Sequence, residues 1–367
     1  NIDWLTSSWE NGLETLKEQR ALSDHLKCLD KLKKKDALVV FYRYKTGSNQ
    51  KLITLILTKQ GKRLVYTTSH QDFDKDTEIL VSSLKNEINR SIIETSETDP
   101  LSLHKKLVFL GNKLLPEKAS QPLKGKRRLW ILSSKDFRDL PLHALAPNGT
   151  PLIGKSEVIQ IHSLSDIFKP SEKKKKDQLR MFRYEYPGKA KLPLAKKEES
   201  LISKLFQSRF QASIPKNKNA LLLFLSDPAT SYIHFALHGI RDNRHILLSR
   251  LPLEKENLNY ADIAAMDLRH LDLVFLNTCS SAGNVSSSTH HFWNGGILSA
   301  FLVAGVRFGI AAVHPVRDDE TTLTFVNHFY TALAKNRNIP SSFAIACRKM
   351  GTRKHLPSIS LNYQLWA

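Results

Sequence analysis

Apolar and polar positions change period several times along this chain, and each change marks an element. Between residues 37 and 68 the runs ALVVFYRY, LITLILT and RLVYTT are rich in β-branched and aromatic side chains, and KTGSNQK and KQGK separate them. Strand-forming runs broken by turn residues predict a three-stranded β-meander. Upstream, Trp4, Leu5, Trp9, Leu13, Leu16, Leu22, Leu26, Leu29 and Leu32 recur at roughly helical spacing, so one or two amphipathic helices are expected over 3–34. Helical patterning resumes at about 75–94 and 101–115. RRLWILS (127–133) then reads as a buried strand, DLPLHAL (139–145) as a turn packed on it, and SEVIQIHS (156–163) as another strand.

The stretch FKPSEKKKKDQ (168–178) carries proline, serine and four consecutive lysines, a composition suited to a solvated linker. Beyond it strands and helices alternate. A short strand near 180–184 precedes LPLAKKEESLISKLFQ (192–207) and NALLLFLSD (219–227), both helical. YIHFALHG (232–239) alternates as a strand, RHILLSR (244–250) supplies more strand and NYADIAAM (259–266) a helix. LDLVFLNTCSSAG (271–283) is a continuous apolar run ending in small residues, as a central strand covered on both faces would be. A helix at 296–305, a strand at 307–316 and helices at 319–336 and 340–350 follow. Such alternation predicts an α/β fold with a mainly parallel sheet flanked by helices. Four segments are expected: N-terminal helices over 1–36, an α/β lobe with the meander over 37–170, a Lys-rich linker over 171–179 and a second α/β lobe over 180–367.

Composition changes this picture in two places. The three cysteines, Cys28, Cys279 and Cys347, are too few and too scattered for a disulfide framework or a zinc site, which points to a reducing cytoplasm. The formal net charge is +20, with clusters at 31–35, 124–128, 173–176 and 196–197. Such charge attracts nucleic acid, an anionic surface or an acidic protein. The clusters carry no interleaved aromatics, so solvated surface is favoured over direct nucleic-acid contact. No apolar run reaches membrane-spanning length and the polar start is no signal peptide, so no membrane span is expected. The start at Asn1 fits a fragment of a longer protein or a processed start equally well.

Two strand ends carry candidate chemistry. Cys279 stands where the 271–283 strand stops, and open α/β sheets bind ligands at the carboxyl ends of their strands. His238 ends another strand, with Gly239 after it. A thiol is mostly protonated near neutral pH, so a cysteine nucleophile needs an imidazole to take its proton and return it to the leaving amine. The glycine lets a backbone N–H approach a developing oxyanion. His234 lies deeper on the same strand face and reads as a buried structural histidine, as does His143 in the first lobe. Either Asp318 or Asp319 can cap the helix that begins near Glu320.

HFALHG, NTCSSAG, GGILSAFLVAGV, AAVHPVRDDET and FVNHFYTAL, with DLPLHAL and LPLAKKEE upstream, resemble the CHAT family of caspase-like cysteine peptidases, relatives of separases. The likeness extends over roughly 37–350. It implies a caspase-like sheet preceded by a degenerate companion lobe, with His238 and Cys279 as catalytic dyad and the N–H groups of Gly239 and Cys279 as oxyanion hole. It implies no cofactor and no metal. Asp318 and Asp319 match the segment that offers a carboxylate to a basic substrate residue, while His314 departs from the tryptophan usual there. His290 and His291 lie in the serine-rich loop that would border the cleft. The resemblance implies an endopeptidase acting on a specific protein substrate under the control of a protein or ribonucleoprotein partner, in settings that include bacterial defence. A catalytically silent scaffold that binds through its basic surface is the alternative.

Overall fold

The computed structural model describes residues 32–46, 49–60, 63–93, 99–168, 177–184, 192–215, 217–240, 242, 248–253, 255–279, 281–282, 296–336, 338–351 and 358–367. The helices expected over 3–34 fall almost wholly outside the described residues, as do most of the Lys-rich stretch, His290 and His291.

In chain order the first half contributes β1 (Asp36–Thr46), β2 (Asn49–Gln60), β3 (Arg63–Asp72), α1 (Lys75–Ile93), α2 (Pro100–Leu114), β4 (Arg128–Ser133) and β5 (Glu157–Ile161). The second half adds β6 (Gln178–Arg183), α3 (Pro193–Phe206), β7 (Phe210–Ser213), α4 (Lys218–Leu225), β8 (Thr230–Ala236), β9 (Arg250–Pro252), β10 (Asn257–Asn259) and α5 (Tyr260–Ala264). Then come β11 (Leu273–Asn277), α6 (Gly296–Val303), β12 (Phe308–Ala312), α7 (Glu320–Asn336), α8 (Ile339–Met350), α9 (Ser358–Asn362) and β13 (Tyr363–Trp366).

Among the described residues eleven strands form one sheet in the order β3-β2-β1-β4-β5-β13-β12-β11-β8-β6-β7, and β9 and β10 make a separate hairpin. Seven of the ten pairings in the large sheet are parallel, and the antiparallel ones are β1–β2, β2–β3 and β12–β13. Both halves of the chain therefore contribute strands to a single sheet, and β13 joins them. Trp366 pairs with Gly309 of β12 on one side and with Gln160 of β5 on the other. Gln160 Nε2 donates to Gln364 Oε1 at 2.8 Å and Gln364 Nε2 to the Leu140 carbonyl at 2.9 Å, so the polar side chains at this seam are bonded to one another.

Alternation along the central strands sorts side chains into two cores. Tyr232, Leu273, Phe275 and Ile310 join a core built also from α1, α2, α3, α7 and α8. Ile233, Phe235, Val274, Leu276 and Ala311 join a second with α4, α5 and α6. Helices thus cover both faces of the β12-β11-β8 region, and the strand ends are where polar side chains can emerge. No helix among the described residues is long and apolar enough to cross a membrane.

Candidate active site

β8 and β11 are parallel neighbours, with Asn277 opposite Ala236 at their last rung. Continued by two residues, that register brings Cys279 level with His238. The strands stay close beyond the ladder. A Cβ added at Gly239 would lie 2.6 Å from the Cys279 carbonyl oxygen and 3.1 Å from Thr278 Oγ1. Only glycine allows the two backbones this approach. His238, Gly239 and Cys279 are each half-buried, so the strand ends open to solvent while the strands behind them do not.

The turn after β12 closes the site from a third side. The Val316 N–H donates to Cys279 Sγ at 3.4 Å, and Sγ lies 3.6 Å from the Val316 carbonyl. An anionic sulfur accepts such a bond more strongly than a neutral one. Asn362 anchors this turn, accepting from the His314 N–H at 2.8 Å and donating to the carbonyls of His314 and Pro315 at 3.4 and 3.2 Å.

The acidic pair divides. Asp318 Oδ2 accepts from the Leu194 N–H at 3.1 Å, at the start of α3. Burial pushes its carboxyl above the usual range; the Leu194 bond opposes this, the Glu198 and Asp319 carboxylates add to it, and nearby His238 draws it down. Asp319 instead caps α7: its Oδ1 accepts from the Thr322 N–H at 2.9 Å and its Oδ2 lies 3.3 Å from Arg317 Nε.

Beneath the strand ends lies a polar network that sequence reasoning missed. Glu198, on α3, is 4% exposed. Asn277 Nδ2 donates to its two carboxylate oxygens at 3.0 and 3.1 Å, and His234 Nε2 lies 3.0 Å from Oε1, off the line of a good hydrogen bond. His234 Nδ1 is 2.8 Å from the Tyr330 hydroxyl, and the Tyr363 hydroxyl donates to Asn277 Oδ1. Burial, reinforced by the Glu198 charge, raises both tyrosines well above their ordinary pKa, which keeps them protonated. In α3 the buried positions are Ala195, Glu198, Ile202 and Phe206, so a carboxylate stands in an otherwise apolar stripe, which only the folded structure marks as buried.

His234 and His143 have structural surroundings. His234 is fully buried and level with Phe275, far down the strand. His143 is buried with Nε2 2.9 Å from the Ser360 carbonyl. Among the described residues no group of three or more His, Cys, Asp or Glu side chains is placed to hold a metal ion.

The CHAT domain family model matches residues 103–367, well over half of the chain. The chain belongs to the CHAT domain family. This CHAT chain also superposes on two crystal structures of the Saccharomyces cerevisiae separase–securin complex, at TM-scores of 0.62 and 0.59 and sequence identities of 12% and 11%. Both matches cover 97% of the CHAT chain but 31% of that one, so it spans about a third of the separase-complex chain. At such identities the likeness is one of fold, the fold of a caspase-like protease. No curated protein matches the sequence.

Proposed function

We propose that this CHAT protein is a cysteine endopeptidase that cuts a protein substrate through His238 and Cys279. The observation that carries this reading is the shared register of β8 and β11, with the Gly239 and Cys279 backbones in contact beyond it. Cys279 Sγ attacks the scissile carbonyl while His238 takes the thiol proton. The carbonyl oxygen becomes an oxyanion held by the N–H groups of Gly239 and Cys279. Collapse of this intermediate breaks the C–N bond, and His238 gives its proton to the leaving amine. Water, deprotonated by His238, then hydrolyses the thioester and restores the thiol.

Asp318 takes the substrate-pocket role, offering a surface carboxylate, held by the Leu194 N–H, to a basic residue before the cut, and Asp319 serves the same turn as a helix cap. Residues 37–170 act as a non-catalytic companion lobe that buttresses the sheet. A protein partner regulates the site, as the separase–securin pairing suggests by analogy, and the charge of +20 favours an acidic one. A reducing compartment such as the cytoplasm keeps Cys279 a free thiol.

Cleavage of a peptide library, read by mass spectrometry, tests this. Cuts after arginine or lysine are expected, and Cys279→Ala and His238→Ala should each abolish them. Cleavage surviving both changes would overturn the assignment to His238 and Cys279, and no cleavage by the native protein would leave the chain a binding scaffold.

A further inference from the structure

We propose that Glu198 is a positioning residue, a buried carboxylate that holds the ends of β8 and β11 level so that His238 and Cys279 meet. The proposal rests on the peptidase reading above and says how its site is kept in register. Glu198 bonds Asn277, two residues before Cys279, and contacts His234, four residues before His238. One side chain on α3 therefore touches both strands that carry the pair. Tyr363 fixes the far side of the Asn277 amide, and Tyr330 the far side of His234.

The direction of each bond makes the arrangement specific. The Tyr363 hydroxyl donates to Asn277 Oδ1, which leaves Nδ2 to face Glu198, and a carboxylate, which only accepts, suits that donor with both of its oxygens in reach. The start of α3 is itself held by Asp318 through the Leu194 N–H, so helix, acidic turn and strand ends form one braced unit. A buried carboxylate is costly to keep unless its hydrogen bonds are made, so an all-apolar contact would be the cheaper way merely to pack α3 on the sheet.

A charge exchange tests this. Asn277→Asp sets two carboxylates face to face, with no donor between them. Adding Glu198→Gln restores an amide opposite a carboxylate, with the Tyr363 hydroxyl still donating to the group at 277. Two readouts are followed: kcat on a cleaved peptide, and amide hydrogen exchange over 236–239 and 277–279. Asn277→Asp and Glu198→Ala should each lower kcat by roughly 10- to 100-fold with KM little changed, the loss expected when reacting atoms are misplaced by about 1 Å. Exchange at both strand ends should quicken together. The Glu198→Gln/Asn277→Asp pair should recover both readouts to within about threefold, since relief of one charge clash by its complement is what coupled neighbours show. Failure of the pair to recover, or native kcat and exchange in Asn277→Asp, would overturn the proposal. If the native protein cleaves nothing, the peptidase reading fails, while exchange in the same variants still decides whether Glu198 braces the strands.

Discussion

Replacing Gly239 by alanine perturbs the site at its tightest point. The added Cβ would lie 2.6 Å from the Cys279 carbonyl oxygen, and ordinary contact begins at 3.4 Å, so the two backbones must part by up to 3.4 − 2.6 = 0.8 Å. The nearest atom is backbone at the end of a packed strand, and Thr278 Oγ1 and Cβ follow at 3.1 and 3.2 Å, so no flexible side chain can yield instead. Overpacking of this kind costs about 1–3 kcal/mol of stability. A displacement approaching 1 Å between reacting groups costs about 100-fold in rate, or ~2.7 kcal/mol of barrier. The assay is the rate at which a peptidyl acyloxymethyl ketone labels Cys279, set beside thermal unfolding of the same sample. Gly305→Ala is the control. Gly305 has φ +103°, and a Cβ there would sit 2.5 Å from Arg269 Cγ, but it precedes the amino end of β12, whereas Cys279 follows the carboxyl end of its parallel neighbour β11. Gly305→Ala should lower the unfolding temperature and leave labelling unchanged, whereas Gly239→Ala should lose both. Native labelling in Gly239→Ala would refute the claim that the two strand ends must touch.

Asp319→Ala removes the α7 cap and should cost about 1 kcal/mol in chemical unfolding, with selectivity unchanged. Asp318→Asn should instead reduce the preference for a basic residue before the cut by at least tenfold in competitive peptide cleavage, with the folded state intact. His143 is held neutral by burial, its pKa depressed to about 4 from 6.5 despite the bond to Ser360. The unfolded chain thus binds a proton that the fold refuses as pH falls from 6.5 towards 4, and stability drops by about 3 kcal/mol across that window. His143→Leu should flatten this part of the stability profile, measured by unfolding at several pH values; an unchanged slope would contradict the assignment.

Much of the architecture was legible because the central strands are covered on both faces. Residues 273–276 and, His234 apart, 232–237 had to be apolar, and their boundaries fell where small or polar residues could surface. The meander was legible from its turns. β13 was not, because Gln364 is buried by bonds to Gln160 and Leu140, so the segment shows no apolar run even though all four of its residues are buried. β7 was equally silent, an edge strand whose Gln211 and Ala212 are exposed. At the site, His238, Gly239 and Cys279 each announced themselves at a strand end. Glu198 did not, because a glutamate in a helix reads as solvated surface until its partner is known, and Asn277 belongs to a strand some eighty residues further along the chain. The split between Asp318 and Asp319 likewise depends on where α3 begins relative to the turn, which no local pattern encodes.

The most direct test of the account is to trap the acyl-enzyme. Rapid quenching of the protein with a basic peptide ester, followed by intact and peptide-level mass measurement, should reveal a burst of acyl group on Cys279, absent from Cys279→Ala and at least ~100-fold slower in His238→Ala. An adduct that forms as fast without the imidazole, or on Cys347 instead, would contradict the pairing of these two strand ends as the reacting centre.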